Sequence, residues 1–389
     1  MPDISTIEPF LDDEHSALAA EVDAFVADEI SPLGHAEDDA AGREQAGEVL
    51  RRLGAAGWAA YAVPAADGGA TRAAGLRACC LIREALACAS PLADAVFALQ
   101  ALGTGPLAAA GSEALKAEWL PRIAAGELMT AFAMTEPEAG SDVSAIGSRA
   151  RRDGEDWVLD GHKWFISNAG IADLYVVFAS TDPEAGTRGL SCFLVPASTA
   201  GFEFTGAQVL SAPHPLGEIR LSGCRVPASH LLGAEGQGFK VGMQTLDRLR
   251  ATVAAAACGL ATRALEEARR HAADRRQFGA ALGDLQLVQA SLADMATELE
   301  SARLMTYRAA WEADRGGAEI TYRSAMAKLQ ATESAQRIVD GAVQILGGRG
   351  VLAEHPVDHL YRAVRALRIY EGASDIQRLV IARQLQRSG

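Results

Sequence analysis

The hydrophobic period of this chain changes twice along its length, and those two changes restrict the folds open to it more than any single motif. From the N-terminus to about Gly126 the sequence is rich in Ala and Leu at helical spacing, which predicts helices with one buried face. Pro64-Ala65-Ala66-Asp67-Gly68-Gly69 and Gly103-Thr104-Gly105-Pro106 are expected to interrupt them, since Pro lacks the helical N–H donor and Gly favours turns. Between about Leu128 and Gly236 the character shifts to short β-branched and aromatic runs: Trp157-Val158-Leu159 ahead of Asp160-Gly161, Leu174 to Phe178, Cys192 to Val195, and Ile219-Arg220-Leu221. Asp-Gly between apolar runs signals a hairpin, and strands without intervening helices favour an antiparallel barrel or sandwich.

After Gly238 the helical period returns. Leu285, Val288, Leu292, Met295, Leu299 and Ala302 alternate by three and four residues, the seam of a packed bundle. A further helix is expected from about Thr321 to Leu346, stopped by Gly347-Gly348-Arg349-Gly350. The resulting expectation is an α+β multidomain chain: an all-α domain over residues 1–128, a central antiparallel β-barrel or sandwich over 129–236, and a C-terminal helical bundle over 237–389.

The 389 residues are enough for two or three domains with a large core. Fifty acidic against 36 basic side chains give a net charge of −14, which argues against nucleic acid, whose phosphates need a basic surface. A polyanionic small molecule then requires a few cations gathered locally. The first residues lack the basic start and apolar stretch of a signal peptide, and the longest weakly apolar run, Ala251 to Ala261, is too short for a bilayer. These features read as a cytoplasmic protein with no membrane span. The six cysteines show no Cys-x-x-Cys spacing and sit in apolar segments, as buried thiols do. Neither they nor the eight scattered histidines form a metal-ligand cluster.

Two segments carry chemistry. Ala133-Met134-Thr135-Glu136-Pro137-Glu138-Ala139-Gly140-Ser141-Asp142 and Arg368-Ile369-Tyr370-Glu371-Gly372-Ala373-Ser374-Asp375 together resemble the acyl-CoA dehydrogenase family, and with the order helices, strands, helices the resemblance covers nearly the whole chain. It implies FAD, bound between the strand domain and the bundle. No G-x-G-x-x-G follows an expected strand, so the flavin rests on the resemblance alone. A hydride acceptor must come from a cofactor, because side chains provide none.

The resemblance makes Glu371 the base that takes the substrate α-proton, its pKa raised in a dry pocket. Read alone, it is a helix-terminal Glu in a surface ion pair. A minority branch of the family carries its base at the position of Leu249, which holds no proton. Thr135 and Ser167 resemble hydroxyls at the flavin edge and beside N5; each alone reads as a hydroxyl satisfying a strand end. Phe132, Met134, Gly140, Ser141, Phe165 and Ile166 fall on further flavin positions, with Phe165 where relatives often have Trp. Arg275, Gln277, Phe278, Gln286, Gln344, Gly347 and Gly348 resemble the part of the site that reaches a neighbouring subunit's FAD, and Ala373, Ser374 and Asp375 complete the cofactor set, Ala373 standing where relatives often have Thr.

Asp247, Arg248, Leu249 and Arg250 match the coenzyme A segment and supply the local cations; Ser141, Tyr370 and Gly372 complete the substrate set. The resemblance therefore implies α,β-dehydrogenation of a fatty or branched acyl-CoA to trans-2-enoyl-CoA, with electrons passed to an electron-transfer flavoprotein and subunits assembled as a dimer of dimers. A flavin oxidase on the same scaffold and a catalytically silent scaffold homologue are the alternatives. Phe97 and Leu99 would shorten the acyl cavity, which favours short or branched chains.

Overall fold

The computed structural model describes residues 2–387. Its helices are α1 (Asp13–Phe25), α2 (Asp39–Ala55), α3 (Leu76–Ala89), α4 (Pro91–Ala110), α5 (Glu113–Ala124), α6 (Gly238–Asp274), α7 (Gln286–Asp314), α8 (Ile320–Leu346), α9 (Pro356–Leu367) and α10 (Ser374–Arg387). The strands are β1 (Thr130–Ala133), β2 (Arg149–Asp153), β3 (Asp156–Ser167), β4 (Leu174–Ser180), β5 (Leu190–Pro196), β6 (Phe202–Ala207), β7 (Leu216–Pro227) and the two-residue pair β8 (Arg276–Gln277) and β9 (Ala280–Ala281). By contact the chain forms two units: the stretch up to Gly34 with Gly75–Asp94 and everything from Asp247, and His35–Ala74 with Ala95–Leu246.

The first unit is helical. In α6 the run 251–260 is buried on every side, which a helix tolerates only inside other helices. Gly259 permits this, because a Cβ there would lie 2.2 Å from the carbonyl oxygen of Glu84 on α3. Glu84 is itself buried and is matched by Arg303 at 2.7 Å and by the Tyr307 hydroxyl at 2.6 Å, both from α7. Asp314, ending α7, accepts from the Leu76 backbone N–H at 2.6 Å and caps α3. Of the expected α7 seam, Met295 and Ala302 are buried while Leu285, Val288, Leu292 and Leu299 are half-buried. Helix α8 ends where its glycine stop predicted, with Gly347 at φ +58°.

The second unit is built on one seven-stranded sheet in the order β1-β4-β2-β3-β7-β6, with β5 also paired to β4. The pairs β2–β3, β3–β7, β4–β5 and β6–β7 are antiparallel, whereas β1 and β2 both run parallel to β4. Strand β4 is buried along its whole length, the pattern of a strand covered on both faces. Phe178, Leu194 and Leu232 belong to its core, with Leu107 of α4 and Leu120 of α5.

Three expectations are corrected. Asp160-Gly161 does not close a hairpin; it lies inside β3, at a register shift against β7. Gly103-Thr104-Gly105-Pro106 does not interrupt a helix; it lies inside α4. The glycines serve close packing: a Cβ on Gly103 would fall 2.4 Å from Thr130 Oγ1 and one on Gly105 2.5 Å from Thr245 Cγ2. The most apolar long segment is also α4, not 251–261. Helix α4 is long and apolar enough to cross a membrane by length and composition, but 72% of its most apolar window is buried in the fold, as in a core helix.

Candidate active site

Glu371 sits in the short connection between α9 and α10, in the left-handed region at φ +52°, followed by Gly372 at φ +88°. A non-glycine residue held there stores about 1–3 kcal/mol of strain and persists only when its surroundings impose it. They do so through hydrogen bonds. Gln377 Nε2 donates to the carbonyl of Gly372 at 2.8 Å and to that of Glu371 at 3.3 Å. Lys328 Nζ on α8 donates to the same Gly372 carbonyl at 2.9 Å. Arg368, at the start of the connection, pairs with Glu333 of α8 at 2.8 Å.

The carboxylate held this way is unusual. Glu371 Oε2 is sealed from solvent and has no hydrogen-bond partner among the described residues. Burial raises the Glu371 pKa above the ordinary carboxylate value; Arg83, Lys328 and Arg250 oppose that rise, and Asp94 adds to it. Buried polar atoms normally find a partner, so an orphan oxygen on a strained loop marks a group kept available for a ligand.

Two of these neighbours are engaged elsewhere. Arg83 is buried and grips Asp94 of α4 through Nε and Nη2, and its Nη1 donates to Thr252 of α6. Arg250 is buried and paired with Asp247, which also accepts from Thr321 Oγ1 at 2.8 Å. Sequence reading missed Arg83, Asp94, Lys328 and Gln377. Arg83 and Asp94 left a trace, Arg83 beside Glu84 in the otherwise apolar run Cys79–Ala89 and Asp94 as the lone charge in Pro91–Leu99; a helical lysine and a helical glutamine left none. Arg248 is exposed, Leu249 and Gly372 half-buried, and Tyr370 is 38% exposed. Ala373 is half-buried, Ser374 buried, and Asp375 exposed with Arg378 beside it.

The first unit also carries the other group of expected cofactor residues. Arg275 precedes the β8–β9 hairpin, Gln277 ends β8, and Phe278 turns at its tip. All three are exposed, as are Gln286, Gln344, Gly347 and Gly348. Phe278 is 94% exposed and has φ +54°. An aromatic ring so presented, on a strained turn, packs on little of its own chain.

In the second unit, Thr135 follows β1, and its carbonyl accepts from the Trp164 N–H of β3 at 2.9 Å. The β3–β7 register slips between Lys163 and Ile166, and Phe165, at φ +54°, lies in the irregularity. Such a bulge re-aims a side chain; Phe165 is 58% exposed, while Ile166 is buried. Behind the bulge, fully buried Lys163 donates to Glu136 Oε1 at 2.7 Å. Burial lowers the Lys163 pKa to about 8 against the pull of Glu136. Glu136 also accepts from the N–H of Gly147 at 2.6 Å and that of Ser148 at 3.0 Å, fixing the loop after Thr135.

Phe132 packs on Phe178 with ring centroids 4.9 Å apart, and Met134 is buried. Ser167 Oγ lies 2.8 Å from His214 Nε2, and burial holds His214 neutral, its pKa lowered to about 4. His214 and Gln208, whose Oε1 accepts from the Phe165 N–H at 2.9 Å, carried no sequence signal. Gly140 and Ser141 are exposed, and nothing lies within 4 Å of a Cβ built on Gly140. The protein alone therefore gives no reason for glycine there, whereas a ligand against the loop would. Trp164 Nε1 is buried without an acceptor among the described residues. An unpartnered indole donor, an outward aromatic and an open glycine loop fit a flat polar cofactor such as a flavin.

Comparison with known proteins gives the same direction. Three family models match consecutive stretches: the acyl-CoA dehydrogenase N-terminal domain over residues 12–127, its middle domain over 131–224 and its C-terminal domain over 236–386. A probable acyl-CoA dehydrogenase of Mycobacterium leprae, fadE25, is 38% identical over 379 residues, 97% of this chain and 96% of its own. The mitochondrial short-chain specific acyl-CoA dehydrogenase of Rattus norvegicus is 44% identical over 290 residues, 73% of this chain and 69% of its own. The structure of butyryl-CoA dehydrogenase from Megasphaera elsdenii superposes with a TM-score of 0.91 at 32% identity, covering 97% of this chain and 99% of that one.

Proposed function

The chain belongs to the acyl-CoA dehydrogenase family, a family of FAD-dependent oxidoreductases, and from that membership we propose that it dehydrogenates a short or branched acyl-CoA to the trans-2-enoyl thioester. The observation that carries the proposal is the Glu371 carboxylate, whose Oε2 is sealed and unpartnered among the described residues and whose pKa is raised by burial.

In this reading Glu371 removes the α-proton. Its desolvated site favours the neutral acid that results, while the nearby cations keep the ionised base accessible. FAD supplies the acceptor for the β-hydride. Thr135, Ser167, Phe165 and the Gly140-Ser141 loop would hold the flavin. His214 constrains Ser167: when the neutral imidazole donates from Nε2, the serine keeps its own proton to offer a ligand. Tyr370, Gly372 and the 247–250 segment would receive the thioester. The Asp247–Arg250 bond orients that arginine in advance.

Exposed Phe278, Gln286, Gln344, Gly347 and Gly348 support assembly with a second copy that completes the cofactor site. Electrons would then leave to an electron-transfer flavoprotein. Purified holoenzyme incubated with straight and branched acyl-CoAs and an electron acceptor should yield products lighter by two hydrogens. No loss of hydrogen from any acyl-CoA would overturn the proposal, and peroxide release under air without an acceptor would reassign the oxidant to oxygen.

A further inference from the structure

Lys116, Lys163, Lys240 and Lys328 are the only lysines of the chain. Lys116 pairs with Glu113 at the surface, Lys163 is buried against Glu136, and Lys240 is exposed. Lys328 differs from all three: it is 0% exposed and makes no ion pair among the described residues. An ammonium buried without a counter-ion is unfavourable, so its retention asks for a reason. Among the described residues its ammonium makes one hydrogen bond, to the carbonyl of Gly372, the residue after Glu371. The nearest carboxylate on its own helix, Glu333, is taken by Arg368.

We infer that Lys328 is a positioning residue for the base: its charge answers the Glu371 carboxylate, and its hydrogen bond latches the loop that carries it. The inference rests on Glu371 being the base. The groups acting on Lys328 are Glu371, Arg250 of α6, Glu333 of α8 and Arg368 of the loop. Those acting on Glu371 are Arg83 of α3, Lys328, Arg250 and Asp94 of α4.

The latch is geometric. Lys328 and Gln377 converge on one carbonyl oxygen from two helices, at 2.9 and 2.8 Å, and so impose the positive φ of both Glu371 and Gly372. A Cβ on Gly372 would lie 2.4 Å from Gln377 Nε2, so a side chain there would displace one of the two clamping donors, at a φ of +88° that already disfavours it. The charge is the second part. Arg83 and Arg250 each have a carboxylate of their own, which partly cancels their field at Glu371. Lys328 has none, so its field is not offset by a paired anion. Burial lowers its pKa to about 8, with Glu371 the first of the opposing influences. Base and lysine are therefore linked: protonating Glu371 weakens the hold on the Lys328 proton, and removing the lysine charge makes Glu371 harder to ionise.

Lys328→Gln, which keeps a donor, and Lys328→Met, which keeps neither donor nor charge, test this in the FAD-loaded enzyme. Both should move the acid limb of the kcat/KM profile to higher pH by about 1 pH unit or more, with flavin absorbance and KM at high pH retained in Lys328→Gln. An acid limb that stays in place in Lys328→Gln would overturn the inference. Should these variants fail to fold, wild-type protein labelled with [6-13C]lysine gives four titration curves. One that titrates near 8 should shift to lower pH in Glu371→Gln, and four unmoved curves would equally overturn it. Full turnover by Glu371→Gln rejects the base itself. Lost turnover with an unmoved limb or unmoved lysine curves rejects only the role of Lys328.

Discussion

Arg83 and Asp94 form a two-bond ion pair, Nε to Oδ1 at 2.7 Å and Nη2 to Oδ2 at 2.9 Å, with both side chains buried and both charges felt by the Glu371 carboxylate. The two act on Glu371 in opposite senses: Arg83 favours its ionised form and Asp94 its neutral form. Removing one partner therefore has two separable consequences. Asp94→Asn strands a buried guanidinium, which costs about 3–5 kcal/mol of stability, and leaves the arginine field unopposed, moving the acid limb of the pH profile to lower pH. Urea unfolding and a kcat/KM profile measure the two. The direction is opposite to that expected for the Lys328 variants, so unspecific damage to the site does not account for both.

Burial of His214 makes stability depend on pH. The His214 pKa is lowered from 6.5 to about 4 in the folded protein. As pH falls below 6.5 the unfolded chain binds the proton first, so this contribution is present above pH 6.5 and is lost as pH falls through about 4. Melting temperature recorded across that interval should fall less steeply in His214→Gln than in the parent. Parallel curves would remove His214 from the account.

In the proposed reading, Phe278 would connect assembly with cofactor retention. At 94% exposure, with φ +54°, it contributes little to its own subunit, so Phe278→Ser should leave the monomer's helix content unchanged while weakening both the oligomer and FAD retention. Light scattering after size exclusion, read with the flavin-to-protein ratio, checks this. A variant that loses flavin yet keeps its mass would separate the two effects.

Phe97 is fully buried on α4, and a Phe→Ala change at such a site costs about 3–5 kcal/mol. If it limits the acyl cavity, Phe97→Ala also shifts kcat/KM toward longer acyl chains in a length series. A uniform loss at every length would make Phe97 a core residue only.

Much of this was legible in the sequence, and the reasons are physical. Period changes gave the layered order because burial on one face leaves a repeating trace: β3, β4 and β7 appeared as apolar runs, and Gly347 marked the end of α8. The α4 glycines were misread because a glycine required by a close neighbour looks the same as one required by a turn. Only the partners, Thr130 and Thr245, decide between them, and both are distant in sequence. The parallel alignment of β1 and β2 with β4 was hidden for the same reason, since strand direction is set by non-local pairing. At the site, Glu371 and Thr135 stood in motifs. Lys328, Gln377 and His214 did not: the first two sit on helices whose patterns packing explains, and His214 lies in the connection between β6 and β7, where no local pattern announces its contact with Ser167.

The central claim, that Glu371 is the base, is tested most directly by mixing the FAD-loaded Glu371→Gln variant anaerobically with an acyl-CoA that bleaches the parent flavin. The account predicts that the variant stays yellow and binds the thioester while flavin reduction slows by about 10²–10⁴-fold or more. Bleaching at the parent rate would contradict it.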